Sequence, residues 1–250
     1  MKKKVKCAMD IGEQMLISGA EVHRVEDSIQ RICYALGAVR ADIYIITTSM
    51  VVTVFDEHGK SYTQTRRIAS IGNNMEKLHK LNELSRRICD KKISESEIAA
   101  EIEIIKNIKT YPKWLEFICY ALIASAFTFF WGGGVFEALV SVFIGIAVCA
   151  VINLSDRIVK NKIFSRFAAS FAATALAYAA LKTGVIGSVD KVIIGNIMCF
   201  IPGIGFTNAL RDLFTGDSIA GILRFIEAVL IALAIAAGYF LFAFLIGGII

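Results

Sequence analysis

Residues 228–250 contain no charged side chain, and this stretch limits the possible folds of the chain more than any other sequence feature. As a helix with a rise of about 1.5 Å per residue, its 23 residues would reach about 35 Å. The hydrocarbon layer of a bilayer is about 30 Å thick. The segment is long enough to cross a membrane unaided, so the sequence predicts a membrane protein.

The charged residues are divided unevenly along the chain. Residues 1–113 hold 19 of the 27 Lys and Arg residues and 15 of the 22 Asp and Glu residues, which leaves 8 and 7 for residues 114–250. Together with a hydrophobic content of 56%, this division excludes a single soluble enzyme domain, a disordered tail protein and a disulfide-stapled secreted scaffold. We expect a charged domain over residues 1–113 and a transmembrane helical domain over residues 114–250.

Several kinds of site and partner find no support in the sequence. Acidic and basic residues are interleaved in the first domain, so we predict no nucleic-acid partner. The six cysteines form no CxxC motif and the three histidines lie far apart, so we expect neither a metal site nor a cofactor. The basic run over residues 2–6 is followed at once by Asp10 and Glu13, unlike a secretory signal, so the N-terminus is expected in the cytosol.

The first domain has the pattern of a small mixed fold. Apolar residues recur at steps of three and four over residues 5–36, which predicts two amphipathic helices that end at Gly37. Residues 41–55 and 60–67 are rich in β-branched and aromatic side chains and flank a turn, which predicts a small sheet.

Two further helices are predicted over residues 74–89 and 94–109, where the helical period returns. The second begins with a capping box formed by Ser94 and Glu97. We therefore expect a cytosolic α/β domain with its own core.

The junction between the first two predicted helices places charge beside a glycine. Glu21 and Arg24 follow Gly19 closely, and they could contact a ligand or form a gate. The alternative is a capped helix start whose surface ion pairs contribute little stability, and the residues alone favour that alternative.

The second domain contains five apolar segments separated by short loops, which predicts five transmembrane helices. The loops at residues 155–166 and 208–224 are the basic ones, so they are expected on the cytosolic side. The five segments are residues 115–136, 138–154, 167–181, 185–206 (or 192–206) and 219–250.

Small or polar residues recur every four positions in the second and third segments. This spacing predicts close helix packing, although Asn153 and Asp156 leave a polar substrate path open. The two stripes are Ser141, Gly145, Cys149 and Asn153, and Ser165, Ala169, Ala173 and Ala177.

The fourth segment is interrupted by Pro202-Gly203, which predicts a broken helix. Interrupted spans are tolerated beside cavities and often mark transporter binding sites. The polar residues around the break could line a substrate path, or they could form an ordinary cytosolic loop in which Arg224 pairs with Glu227. These residues are Asn196, Asn208, Arg211, Asp212, Asp217, Arg224 and Glu227.

Several motifs together resemble the threonine/serine exporter family, and in particular the larger subunit of its two-polypeptide type, such as the bacterial succinate exporter. The motifs are Ser18-Gly19-Ala20-Glu21 with Arg24 and Glu26, Ile201-Pro202-Gly203, Asn208-Ala209-Leu210-Arg211-Asp212-Leu213, and Gly216-Asp217 with Gly221 and Arg224. The likeness covers nearly the whole chain. It implies a multi-pass exporter of threonine, serine or succinate in the cytoplasmic membrane. Full-length members have about twice as many spans, which implies a second, smaller membrane subunit, a homo-oligomer, or both.

We expect a mechanism of alternating access with the substrate near the helix break. On this hypothesis amide side chains bind the substrate, arginines attract its carboxylate, acids couple transport to protons, and the helix junction acts as a cytosolic gate. The expected path residues are Pro202, Gly203, Asn196, Asn208, Arg211 and Arg224; the expected coupling residues are Asp212, Asp217 and Glu227; the expected gate residues are Glu21 and Arg24.

Two other functional classes compete with an exporter. An intramembrane aspartyl protease would need two aspartates facing each other from different spans, and only the region of Asp212 and Asp217 offers any. The chain also lacks GxSxG and HExxH, so no catalytic residues are predicted. A metabolite sensor or scaffold would need one anchoring span rather than five.

Overall fold

The computed structural model describes residues 1–109 and 111–247, apart from the side chains of residues 95, 96, 246 and 247. The chain forms two compact units. The first consists of Met1–Lys109 with Gly205–Phe225, and the second of Thr110–Ile204 with Ile226–Ile250. The assignment of residues 1–113 to a cytosolic domain stays a prediction.

The first unit contains the predicted helices and sheet. Its sheet is an antiparallel meander in the order β1-β2-β3, so the expected α/β domain lacks the parallel crossovers that this term implies. Tight turns join the strands, which leaves no room for crossover helices. The elements are α1 (Lys2–Ile17), α2 (Val22–Ala35), β1 (Arg40–Ile46), β2 (Ser49–Phe55), β3 (Ser61–Arg67), α3 (Met75–Cys89) and α4 (Glu95–Lys106).

Helix α1 lies at the centre of this unit, against α2, α3, α4 and the sheet. Its apolar face is fully buried, and Gly12 permits the close approach of α2, because a Cβ there would lie 2.3 Å from Ile29 Cδ1. On its other side Asp10 and Glu13 form ion pairs with Arg66 of β3. The capping box predicted at the start of α4 is present.

The second unit is helical. It holds α5 (Lys113–Phe130), α6 (Val135–Ile158), α7 (Lys162–Lys182) and α8 (Val189–Ile197), and most of α10 (Ser218–Gly247). In the part of the chain that the structure describes, four helices are long and apolar enough to cross a membrane, where about five spans, one of them broken, were predicted. The fourth predicted segment contains α8, whose nine residues reach only about 14 Å.

The predicted interruption near Pro202-Gly203 is present. Helix α8 ends at Ile197, and α9 (Gly203–Phe214) begins directly after Pro202. Proline has no backbone N–H and tolerates only the first turn of a helix, so the apolar run divides here into two short helices.

The small-residue stripes pack as predicted. Gly145 lets α6 approach α5, since a Cβ there would lie 2.8 Å from the carbonyl oxygen of Tyr120. The stripe on α7 is buried throughout, and the Ser170 hydroxyl donates a 2.7 Å hydrogen bond to the Ile235 carbonyl of α10. Gly195 brings α8 against α5 in the same way, at Thr128.

Candidate functional site

The junction between α1 and α2 is a tight turn that only glycine permits. Gly19 has a φ of +95°, and a Cβ there would lie 2.7 Å from the carbonyl oxygen of Gly72. The N–H groups of Gly19 and Ala20 return to the carbonyls of Leu16 and Met15, which is the Schellman ending of a helix. The turn leaves the carbonyl groups of residues 19 and 20 and the first N–H groups of α2 available to other partners.

Those groups are used by the segment over residues 208–224, which lies in the same unit. The Gly19 carbonyl accepts a hydrogen bond of 3.3 Å from Asn208 Nδ2. The Ala20 carbonyl accepts one of 2.9 Å from Arg224 Nη2. Both donors were expected in a substrate path, and both are instead bonded to the backbone of the helix junction.

Asp212 caps the start of α2. Its Oδ1 accepts a 3.2 Å hydrogen bond from the Val22 N–H, in the first turn of that helix. The side chain is fully buried. Because the N-terminus of a helix carries partial positive charge and unpaired N–H groups, it stabilises a carboxylate at this position.

Asp212 also forms an ion pair with Arg224 inside the unit. Asp212 Oδ2 lies 3.1 Å from Arg224 Nη1, with the two side chains 0% and 8% exposed. The geometry is that of an ion pair rather than an aligned hydrogen bond, since Oδ2 has no hydrogen-bond partner among the residues described. The alternative in which Arg224 pairs with Glu227 is wrong. The buried Asp212 carboxylate attracts the guanidinium more strongly than the exposed Glu227 carboxylate does, because water screens the exposed charge.

Two further contacts surround this buried pair. Arg211 forms an ion pair with Glu21, the residue that precedes α2. His23 Nδ1 lies 3.9 Å from Asp217 Oδ2, so these groups attract each other when His23 is protonated. We call these residues the junction cluster: Glu21, His23, Asn208, Arg211, Asp212, Asp217 and Arg224.

Burial changes the acidity of the carboxyl groups in this region. It raises the pKa of Asp212, although Arg224 and the Val22 N–H lower it. It also raises the pKa of Glu26, which accepts a 2.8 Å hydrogen bond from the Ile45 N–H and is repelled by Asp217. Protons therefore bind to Asp212 and Glu26 more readily than to exposed acids.

A tight turn between α9 and α10 holds the cluster residues together. Gly216 has a φ of +99°, and the Asp217 N–H donates a 2.9 Å hydrogen bond to the Asp212 carbonyl. Gly221 lets the two helices touch, because a Cβ there would lie 2.8 Å from the Leu213 nitrogen. The glycines at 216 and 221 thus bring Arg224 of α10 next to Asp212 of α9.

The other predicted site residues lie elsewhere. Arg24 is exposed and its side chain makes no hydrogen bond or ion pair with any residue described. Glu227 is exposed on α10, and Pro202 and Gly203 form the start of α9. Asn196 is fully buried in the second unit: its Nδ2 donates to the Val192 carbonyl at 2.9 Å, and its Oδ1 has no described partner.

Sequence reasoning missed the pairing of the two segments that build the junction cluster. The partners are about 190 residues apart, so no helical or strand period connects them. It also missed His23 and the backbone groups of Ala20 and Val22. Within residues 1–109 and 111–247, no three His, Cys, Asp or Glu side chains are placed to hold a metal ion. The junction cluster is a set of paired opposite charges.

Comparison with known proteins gives an independent assignment. The family described as "Putative threonine/serine exporter" matches residues 6–246. Two proteins named "Probable succinate transporter subunit YjjP" are similar to this chain. The one from Klebsiella aerogenes is 23% identical over 235 residues, covering 94% of this chain and 89% of that protein. The one from Escherichia coli (strain K12) is 23% identical over 229 residues, covering 90% and 87%.

No solved structure matches the chain. The family match spans the two halves of the sequence, and the resemblance drawn from the motifs is confirmed. The family and the four apolar helices together indicate a multi-pass membrane transporter rather than an enzyme. The chain belongs to the threonine/serine exporter family.

Proposed function

We propose that the chain exports small carboxylate metabolites from the cytosol by alternating access, and that the junction cluster is its cytosolic gate. The observation that carries this proposal is the buried ion pair between Asp212 and Arg224, which fastens the α9–α10 turn to the start of α2. A buried pair of this kind adds little net stability, because desolvation offsets most of the attraction between the charges. The desolvation cost of burying Asp212 and Arg224 is better explained if this ion pair has to open during transport.

The charges of the cluster suggest how a substrate could open it. Arg211 and Arg224 already hold carboxylates, those of Glu21 and Asp212. A substrate carboxylate is the same chemical group and can replace either partner without leaving an arginine unpaired. Such an exchange costs less than breaking an ion pair outright, so the substrate itself would lower the barrier to opening.

Protons could drive the same exchange. Because burial raises the pKa of Asp212, the residue can take up a proton more readily than an exposed acid. A neutral Asp212 no longer holds Arg224 by charge. Asp217, next to His23, is a second candidate for this coupling role, and the exposed Glu227 is a third.

Asn196 is the candidate for contact with the substrate inside the helical unit. Its amide orientation is fixed, because only the nitrogen can donate to the Val192 carbonyl. The free atom is therefore an acceptor, buried and without a described partner. Leaving such a group unpaired costs about 1–3 kcal/mol. An ammonium or hydroxyl group of serine or threonine would satisfy it, and the fully ionised carboxylates of succinate would not.

A second membrane subunit is the partner we propose. Both similar proteins are named as transporter subunits, which supports a transporter assembled from more than one chain. A homo-oligomer is the other arrangement to test.

Pro202 and Gly203, at the break between α8 and α9, would serve as the flexible point next to the substrate path.

Efflux from preloaded cells tests the proposal. Cells expressing the chain, with and without a candidate small subunit, are loaded with labelled serine, threonine or succinate, and the loss of label is followed. We expect export from wild-type cells, and none from Arg224→Ala or Pro202→Ala although the protein remains in the membrane. Arg31→Gln, which removes an exposed ion pair with Asp27, is the matched control and should export normally. Unchanged export by Arg224→Ala would refute the gate.

A further inference from the structure

A second polar cluster lies within the helical unit and includes Asn153 and Asp156, the two residues that left a polar substrate path open. It forms where α5 begins, α6 ends and α7 begins. Asn153 Nδ2 of α6 donates a 3.0 Å hydrogen bond to the Cys149 carbonyl and lies 3.4 Å from Glu116 Oε2 of α5. Tyr120, one turn after Glu116, lies close enough to both Glu116 and Arg166 of α7 for electrostatic interaction.

Arg166 is the unusual member of this group. Its Nη1 is buried and has no hydrogen-bond partner in the described part of the chain. Among the residues described, no carboxylate oxygen lies within 4 Å of the Arg166 guanidinium nitrogens, so Glu116 does not form an ion pair with Arg166. Asp156, the other acid at this end of α6, is bonded to the Ser165 hydroxyl. The partly exposed Arg166 side chain thus places one buried nitrogen, Nη1, without an acceptor among the residues described.

Such an arrangement is costly unless a ligand completes it. A buried donor without an acceptor loses the hydrogen bonds that it would make with water, and a charged donor loses more than a neutral one. Ionisable side chains inside a membrane bundle commonly mark the path of a substrate or ion. The planar guanidinium fork fits a carboxylate, which can accept two parallel hydrogen bonds from it.

The neighbouring charge restricts which carboxylate can bind. Asn153 contacts the Glu116 carboxylate, and Glu116, like Arg166, lies near Tyr120. The negative charge of Glu116 repels a second carboxylate. The same charge attracts an ammonium group. A cation and an anion that both lie near Tyr120 match the two charges of an amino-acid zwitterion, and they match a dicarboxylate poorly.

We propose that Arg166 and Glu116 form a zwitterion-binding site within the helical bundle, in which Arg166 binds the carboxylate and Glu116 the ammonium group of the transported metabolite. This proposal rests on the proposed function and adds a site to it. Asn153 is a positioning residue, because it orients the Glu116 carboxylate. Because Arg166 is only partly buried, a lipid phosphate is the competing ligand that the test has to distinguish.

Binding to the purified chain tests the site without transport. The full chain is placed in nanodiscs of uncharged phosphatidylcholine, and its affinity for serine, threonine and succinate is measured by calorimetry, with thermal stability as a second readout. The variants are Arg166→Gln, Arg166→Lys and Glu116→Gln. The matched control is Arg157→Gln, at an exposed arginine near the end of α6.

We expect Arg166→Gln to weaken serine binding at least about tenfold, which corresponds to about 1.4 kcal/mol. Without ligand its melting temperature should equal or exceed that of the wild type, because the change removes an unpaired buried charge. Arg166→Lys should retain part of the affinity. Glu116→Gln should weaken serine binding and leave succinate binding equal or stronger, and Arg157→Gln should behave as the wild type.

Three results would overturn the site. One is an Arg166→Gln variant that melts lower without ligand but binds serine as the wild type does, which would make Arg166 structural. Another is an Arg166-dependent increase in stability when anionic lipid replaces phosphatidylcholine, which would make a lipid phosphate the ligand. The third is absence of binding of serine and threonine by the wild type. Binding without export in preloaded cells would instead refute the proposed function and leave the site intact.

Discussion

Replacing Arg224 by Gln removes the guanidinium that lies 3.1 Å from the buried Asp212 carboxylate. Loss of one partner of a buried ion pair costs about 3–5 kcal/mol, because the remaining charge stays out of water and unpaired. We take the lower end, about 3 kcal/mol, since the Val22 N–H still donates to Asp212. For a chain of 250 residues, about 2–4 °C per kcal/mol gives a fall in melting temperature of about 6–12 °C at pH 8.

The size of this loss should depend on pH. Burial raises the pKa of Asp212 and Arg224 lowers it, so the variant has a higher Asp212 pKa than the wild type. Above that pKa the variant buries an unpaired carboxylate, and below it Asp212 is protonated and the penalty disappears. The deficit of Arg224→Gln is therefore present at pH 8 and becomes smaller as the pH falls through the raised pKa. Adding Asp212→Asn should restore most of the lost stability.

Thermal unfolding of the purified chain in one detergent, at pH 8 and pH 5, measures both effects. Arg31→Gln is the control, because it breaks an exposed helical ion pair of 2.9 Å that contributes only about 0.3–0.5 kcal/mol. Its melting temperature should fall by about 1–2 °C at either pH. If the melting temperature of Arg224→Gln falls no further than that of Arg31→Gln, or falls equally at both pH values, Arg224 does not stabilise a buried Asp212 carboxylate.

Four other substitutions, one of them a control, give further predictions. Gly221→Ala places a Cβ 2.8 Å from a backbone nitrogen of α9, so it should cost about 1–3 kcal/mol in thermal unfolding; Gly205→Ala, with open space around it, should cost nothing. Gly195→Ala places a Cβ 2.1 Å from Thr128 Oγ1 and should lower the yield of folded protein from membranes. Asn196→Leu should slow serine efflux several-fold and leave succinate efflux unchanged, and equal effects on both would contradict its role as an acceptor.

Local patterns in the sequence predicted the local structure well. The three- and four-residue spacing of apolar side chains placed α1 and α2, and Asn74 and Ser94 begin α3 and α4 as capping residues. These features depend on neighbours within one helical turn. The stripe that begins at Ser165 is buried for the same reason, because a period of four residues defines one helix face.

The length of a helix and the ion-pair partner of a charged side chain were harder to predict. Hydropathy counts apolar residues and Pro202-Gly203 predicted the break, but neither showed that α8 would end as early as Ile197. Arg224 has an acid three residues away, Glu227, and it pairs instead with Asp212 on another helix. Burial decides between the two acids, and burial depends on the folding of distant segments.

The central claim is that the α1–α2 junction must separate from the α9–α10 turn during export. Cysteines at Glu21 and Arg211, whose side chains are in contact, can be bridged by a bifunctional methanethiosulfonate reagent and released by a reductant. Efflux of labelled serine is measured before bridging, after it and after reduction, with each single-cysteine variant as a control. The account predicts that bridging stops efflux in the double variant alone and that reduction restores it; undiminished efflux from the bridged protein would contradict it.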